Sequence, residues 1–251
     1  MRASKRRGQL LDGVLLLDKP EGLSSNHALQ RARRTVDARK AGHTGTLDPF
    51  ATGLLICCFG RATKICGNML NADKTYEATL RFGEETDSGD LTGNIVAKAP
   101  ESFTGVARES LLEVLPEFTG EIEQIPPMYS ALKKDGKPLY EYARQGVELE
   151  RAPRRVMIYR LELLDFEGMQ ARVRVACSKG TYIRTLAQDI GRRLGCYAHL
   201  QALRRTVVGP FDIADSTGLE DLQAMERPHE ALLPLQALPE GLLPSAIHTE
   251  G

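Results

Sequence analysis

Residues Gly42 to Gly53 read GHTGTLDPFATG, and an apolar run, Leu54 to Phe59 (LLICCF), follows at once. The twelve residues hold one histidine, one acid, three glycines, three threonines and a proline. Polar, turn-prone sequence running into an apolar stretch of strand length is the layout of a site loop on a rigid scaffold. Asp48 is the only acid of the stretch, and Pro49 stops a helix from continuing behind it. Taken alone, the stretch also reads as a structural loop, with Asp48 capping a turn and the glycines supplying positive φ. For an isolated Asp-Pro that second reading prevails.

Before this stretch, Gly13 to Leu17 is a short apolar strand that enters the turn Asp18-Lys19-Pro20-Glu21-Gly22. Ser24 or Ser25 then caps a helix running to about Asp37, with Ala28, Ala32 and Val36 on one face. After the apolar run, Gly60 to Asn71 reads as a helix. Lys74 to Phe82 alternates as a strand does, with Tyr76, Ala78, Leu80 and Phe82 on one face. Gly83 to Gly93 (GEETDSGDLTG) reads as a solvated acidic loop; the spacing of Glu84, Asp87 and Asp90 fits no calcium loop. Val106 to Phe118 is an amphipathic helix. Arg155 to Phe166 and Met169 to Cys177 are two strands joined at Glu167-Gly168, and His199 to Val208 is a last strand carrying Arg204 and Arg205.

Between the last two of these strands, Thr181 to Leu194 is a helix with Arg184 early in it. A helix start repels a cation, so an arginine there answers a nearby carboxylate. Ser216 to Met225 is a short acidic helix, followed by a tail rich in Leu and Pro. Lys19 reads as a surface lysine, with a phosphate contact as the functional alternative. Ile125 to Gly146 interleaves Tyr129, Tyr140 and Tyr142 with Lys133, Lys134, Lys137 and Arg144. That composition suits RNA, cations meeting phosphates and rings stacking on bases. It equally describes a hairpin turning at Asp135-Gly136, then a short helix with half-buried tyrosines.

The chain of 251 residues is 42% hydrophobic and 26% charged, the composition of a globular protein with room for a core. Net charge is zero, but unevenly spread: residues 1–40 carry +6, 41–150 carry −7, 151–210 carry +8 and 211–251 carry −7. Two basic blocks brought together by folding would make a phosphate-binding surface. Five cysteines show no metal-ligand spacing and read as reduced thiols. No apolar run reaches the length of a membrane span, and the basic start MRASKRRGQLLDG lacks the apolar segment of a signal peptide. A cytoplasmic protein without metal or cofactor is the expectation.

LDKPEGLSSNHAL (Leu17 to Leu29), GHTGTLDPFATGLL and CSKGTYIRTLAQDIG (Cys177 to Gly191) come in this order, and together they resemble the motifs of the bacterial tRNA pseudouridine-55 synthases, the TruB family. The resemblance covers about residues 10 to 210. It implies an α/β chain of α+β type with the pseudouridine synthase fold, a central mixed, mostly antiparallel sheet flanked by helices and loops. Residues 10–210 would be the catalytic domain. Residues 211–251 would be a short C-terminal segment where family members continue into a PUA-type RNA-binding domain, here absent or truncated.

The implied reaction isomerises uridine to pseudouridine at position 55 in the T-arm of tRNA, with no cofactor, on a monomer. Asp48 would act as a nucleophile at C1′ or C6, or as a base at the 2′ position. Arg184 would keep it ionised. By resemblance, His43 fills the gap left by the flipped base, Tyr76 is catalytic, stacking on that base and handling the C5 proton, and Tyr182 and Leu203 line the uracil pocket. Without the resemblance His43 reads as a turn histidine, and Tyr76, Tyr182 and Leu203 as core residues. The alternatives are a non-catalytic tRNA-binding or tRNA-folding protein, a synthase acting on another RNA, and, more remotely, metal-dependent phosphoryl transfer through Asp87 and Asp90.

Overall fold

The computed structural model describes residues 8–240 and 242; the basic start before residue 8 and the end of the Leu/Pro-rich tail lie outside them. The chain forms two compact units. One comprises the residues up to Lys74 and those from Arg204 onward, the other Thr75–Leu203.

The first unit begins with β1 (Gly13–Lys19). The helix α1 (Ser25–Thr35) starts at Ser24, whose Oγ accepts a hydrogen bond from the His27 amide at 3.2 Å. The strand β2 (Ala41–Thr44) pairs antiparallel with β3 (Thr52–Phe59), His43 opposite Cys57. The start of the expected loop is therefore a strand, which its Gly-His-Thr sequence, with no apolar alternation, does not announce. The expected helix over 60–71 is a 3₁₀ segment, Gly60–Ile65, followed by one α turn, α2 (Cys66–Leu70).

The continuous apolar runs of β1 and β3 have a simple cause. Val14, Leu16, Leu54, Ile56 and Cys58 enter one buried cluster, while Leu15, Leu17, Leu55, Cys57 and Phe59 enter another on the opposite face. Strands covered on both sides need apolar residues at every position.

The second unit holds β4 (Lys74–Phe82, from Thr75), β5 (Glu84–Thr86), β6 (Ile95–Lys98), α3 (Arg108–Val114) and β7 (Gly120–Gln124). The hairpin β8 (Lys133–Lys134) and β9 (Lys137–Pro138) turns at Asp135 and Gly136, both at positive φ. Two such residues define the tight hairpin turn whose twist matches its strands. Next come α4 (Leu139–Ala143), β10 (Arg154–Phe166), β11 (Gln170–Cys177), α5 (Ile183–Arg193) and β12 (Ala198–Val208). The solvated acidic loop is corrected: β5 lies in it, and Glu85, Thr86, Ser88 and Asp90 are buried.

From Arg204 the chain belongs to the first unit again, with β13 (Phe211–Asp212), β14 (Thr217–Gly218) and α6 (Leu219–Ala224). The tail residue Leu233 exchanges two backbone hydrogen bonds with Val14, at 2.8 and 3.0 Å, and Leu235 and Leu238 enter the first buried cluster.

Strand order is β14-β1-β3-β12 in the first unit, with β2 on β3 and β13 on β12. In the second it is β12-β4-β11-β10-β7. The β1–β14 and β3–β12 pairs are parallel; β1–β3, β2–β3, β7–β10, β10–β11 and β12–β13 are antiparallel. This is the mixed, mostly antiparallel sheet of an α/β chain.

Candidate active site

In the first unit Asp48 stands on the turn between β2 and β3, half-buried, where its carbonyl accepts from the Ala51 amide at 3.1 Å. Apolar neighbours anchor this turn: Leu47, Phe50 and Ala51 are buried. The helix α1 holds it as well. Ser25 Oγ accepts from the Leu47 amide at 2.7 Å and donates to the Leu47 carbonyl at 2.9 Å.

Lys19, at the end of β1, is 0% exposed. Its Nζ donates to the carbonyls of Pro20 at 2.9 Å, Leu23 at 2.6 Å and Pro49 at 3.4 Å. The surface-lysine expectation is corrected, and a covered ammonium offers no face to a phosphate. The side chain instead joins the turn after β1 to the residue following Asp48. Burial lowers its pKa to about 8, against the attraction of the Asp48 and Glu21 carboxylates; the Arg205 charge lowers it further.

Arg205 on β12 is 1% exposed. Its Nε donates to the Leu54 carbonyl at 2.8 Å and its Nη2 to the Gly45 carbonyl at 3.0 Å. The neighbouring Arg204 pairs with both carboxylate oxygens of Asp18, at 3.1 and 2.7 Å. His43 on β2 is half-buried, and its Nδ1 has no hydrogen-bond partner among the described residues. Burial, and after it the Arg205 charge, lower its pKa, so the ring is neutral at pH 7.

Gly53 is required where it stands. Its φ is +104°, and a Cβ there would lie 2.3 Å from the Arg205 carbonyl oxygen. The parallel pairing of Gly53 with Arg205 brings the two backbones that close.

In the second unit Arg184 occupies the first turn of α5 and is 5% exposed. Its Nη1 donates to the Ser88 carbonyl at 2.8 Å and its Nη2 to the Tyr129 carbonyl at 2.6 Å; Asp90 Oδ2 lies 3.9 Å from its Nε. One turn on, Gln188 donates to the Thr86 carbonyl at 3.0 Å, and after another turn Arg192 Nε donates to Glu85 at 2.9 Å. One stripe of α5 thus binds the 85–90 loop along its length. Asp90 is fixed in turn, accepting from Ser88 Oγ at 3.0 Å and the Thr92 amide at 2.9 Å.

Tyr182 is the N-cap residue of α5. Its amide donates to Gln124 Oε1 at 3.0 Å and its carbonyl accepts from Gln124 Nε2 at 3.2 Å. Tyr76 is half-buried on β4, and Leu203 is buried on β12. In the hairpin region Lys137 lies 4.6 Å over the Tyr142 ring and Arg144 5.2 Å over the Tyr140 ring.

The structure thus gathers Lys19, His43 and Asp48 in the first unit, and it carries Tyr76, Tyr182, Arg184 and Leu203 on the second. The supporting contacts of Arg205, Ser25, Glu85 and Asp90 are what sequence reasoning missed. Arg205 had a signal: of two successive arginines in an alternating strand, one must face inward. Among the described residues no group of three or more His, Cys, Asp or Glu is placed to hold a metal ion. Asp87 and Asp90 use carboxylate oxygens on their own loop's amides. No helix of the described residues is long and apolar enough to cross a membrane.

Comparison with known proteins gives the class of the protein, a pseudouridylate synthase. The chain belongs to the TruB family: residues 33–183 match the N-terminal domain model of the TruB family pseudouridylate synthases, and residues 184–245 match the tRNA pseudouridylate synthase B C-terminal domain. It is 77% identical over 242 residues to the tRNA pseudouridine synthase B of Bordetella avium (strain 197N), covering 96% of this chain and 99% of that one. The Bordetella pertussis (strain Tohama I) protein of the same name is 73% identical over the same shares.

Among solved structures, a chain of a Cbf5–Nop10–Gar1 complex aligns with a TM-score of 0.71 at 30% identity, over 91% of this chain. This chain spans 61% of that one. An H/ACA ribonucleoprotein bound to a substrate RNA containing 2′-deoxyuridine aligns with a TM-score of 0.67 at 28% identity. The fold is that of the pseudouridine synthases.

Proposed function

We propose that the chain isomerises uridine to pseudouridine at position 55 in the T-arm of tRNA, with Asp48 as the central catalytic group. The coarser activity, a pseudouridine synthase acting on tRNA, follows from its family and from the name its 77%-identical relative bears. The observation that supports Asp48 is its seat, a turn held by Ser25, Lys19 and Arg205 and fixed by Gly53.

In the reaction the N1–C1′ bond breaks, uracil turns over, and C5 bonds to C1′. The C5 proton leaves and N1 takes one up, so atoms and oxidation state are conserved. Asp48 acts on C1′ or C6 as a nucleophile, or removes the 2′ proton as a base. Arg184 keeps its carboxylate ionised against burial. The target base leaves its stack at a cost of about a few kcal/mol. The neutral His43 ring fills the gap, Tyr76 stacks on the flipped base, and Tyr182 and Leu203 line the pocket.

Residues 10–210 make the catalytic part and 211–251 a short C-terminal segment. The hairpin with Lys133, Lys134, Lys137 and Arg144 meets the tRNA arm through phosphates and ring faces. The chain works as a monomer in the cytoplasm, without metal.

Tritium release from tRNA carrying 5-³H-uridine tests the reading, with Asp48→Asn beside the wild type and pseudouridine mapped in the product. Release of one equivalent by the wild type alone, with pseudouridine at position 55, is expected. Release by both proteins would remove Asp48 from its role. Tight tRNA binding without release by either would make the chain a tRNA-binding protein instead.

A further inference from the structure

Arg205 has no place in the chemistry, yet it is 1% exposed in a sheet where an apolar residue would pack well. A buried guanidinium is costly unless its donors are met, and apolar replacement of buried charges is often neutral or better for stability. Two of its donors meet carbonyls that bracket one segment. Gly45 lies three residues before Asp48 and Leu54 six after, and a single planar group reaches both, at 3.0 and 2.8 Å. We infer that Arg205 is a positioning residue, a clamp that closes the segment from Gly45 to Leu54 and so sets where the Asp48 carboxylate stands. This inference rests on the proposed role of Asp48.

Two glycines fit the clamp. Gly45, at φ +67°, leaves only 3.3 Å between its Cβ position and Arg205 Nη1, so the guanidinium lies close against that residue. Gly53 admits the Arg205 backbone itself, with 2.3 Å from its Cβ position to the carbonyl oxygen. The segment is therefore held by Arg205 twice, by side chain and by main chain. Lysine is no substitute, because one compact ammonium lacks the rigid fork that spans two separated acceptors.

The charge of Arg205 is also felt locally, acting on both Lys19 and His43. Arg204 gives the contrast. It faces the other way on the strand, and its ion pair with Asp18 is partly open to solvent, the side chains 42% and 29% exposed.

The test compares full-length wild type, Arg205→Lys, Arg205→Met, Arg204→Lys and Asp48→Asn. Three readouts are taken: the unfolding midpoint, the Kd for unmodified tRNA, and the single-turnover rate of tritium release at saturating enzyme. Arg205→Lys is expected to fold and to bind tRNA within about threefold of wild type. Its saturated rate should fall at least about 30-fold, the scale of a reacting group displaced by a fraction of an ångström. Arg204→Lys is expected to keep its rate within about twofold.

A folded Arg205→Lys with a rate within about threefold of wild type overturns the clamp, as does a loss wholly explained by weaker tRNA binding. If Arg205→Met is recovered only unfolded, Arg205→Lys decides. Should Asp48→Asn keep the wild-type rate, the reading of Asp48 fails and this inference with it. Should Asp48→Asn be inactive while Arg205→Lys is not, the clamp alone fails.

Discussion

The two units hold their proposed functional side chains by opposite arrangements of charge. In the first, an acid stands on a turn, and the cations Lys19 and Arg205 grip that turn by its backbone carbonyls. In the second, a cation is the proposed functional group. The carbonyls of Ser88 and Tyr129 grip Arg184, with the Asp90 carboxylate 3.9 Å away. Carbonyl acceptors satisfy a donor without cancelling its charge, so Lys19 and Arg205 leave positive potential in the neighbourhood of Asp48. Around Arg184 the nearby carboxylate offsets part of the charge. A unit pair at about 4 Å attracts by roughly 4 kcal/mol at an effective dielectric of 20, and desolvation takes back much of it. The first unit is thus arranged to favour an anion, and the second to hold a cation still.

The largest effects should come from breaking the close approach in the first unit. Gly53→Ala puts a methyl group 2.3 Å from a backbone oxygen at φ +104°. The expected loss is about 3 kcal/mol or more, a fall of at least about 6 °C in the unfolding midpoint. An unchanged midpoint would show that β12 yields and that the close approach does not fix the turn of the first unit.

In the second unit the counterpart is Arg184→Lys. It keeps the charge but loses the fork that meets Ser88 and Tyr129. Turnover should fall by about 100-fold or more, with tRNA binding little changed. Near-native turnover would mean that charge alone matters there, and the parallel with the fork of Arg205 would disappear.

These differences bear on what the chain discloses before it is folded. β1, β3, β4 and β10 were legible because runs of Leu, Ile and Val, or their alternation, record which faces are covered. β2 was not, because Gly42, His43 and Thr44 carry no apolar period. The Gly83 to Gly93 loop was misread as solvated. Glu85 and Asp90 are buried in it, and three residues of α5, one helical turn apart, supply donors to the loop; a sequence window cannot see a partner a hundred residues away. Lys19 was misread for the same reason, since its acceptors are carbonyls, which every residue has. Asp48 and Arg184 stood out through long motifs. Arg205 and Asp90, which hold the same segments, lie outside what those motifs brought to notice.

Lys19 permits a sharper test of the first unit through pH. Its pKa is lowered to about 8 in the folded chain, mainly by burial, from 10.5. Below pH 8 the ammonium is charged and holds Pro49; above it the amine is neutral and the grip on the turn weakens. The saturated turnover rate should therefore fall as pH rises through about 8, by roughly three- to tenfold. Stability should move the other way. The unfolded chain binds the extra proton between pH 8 and 10.5, so stability rises with pH across that window. In Lys19→Arg, where the charge persists, the alkaline fall in rate should vanish. A limb that survives in Lys19→Arg would assign it to another group.

The smallest expected effect lies on α5 and asks whether the second unit's charges are in balance. Burial pushes the Asp189 carboxyl up from 3.8 to about 6, with Arg192 opposing and Glu85 adding to the rise. The folded chain then binds this proton more tightly than the unfolded one. The ionised form costs stability above pH 6, the cost shrinks as pH falls through that value, and it is gone below 3.8. The Asp189 side chain is 29% exposed and its partner Arg192 is 53% exposed. Solvent screening therefore leaves about 1 kcal/mol of the nominal shift. Asp189→Asn removes the charge but keeps an acceptor for Arg192, which lies 3.4 Å away. The unfolding midpoint should rise by about 2–4 °C at pH 8 and by less at pH 5. A midpoint that falls at both values would show that the Arg192 pair outweighs burial. Glu85 alone would then not satisfy that arginine, and the 85–90 loop that seats Arg184 would depend on both acids.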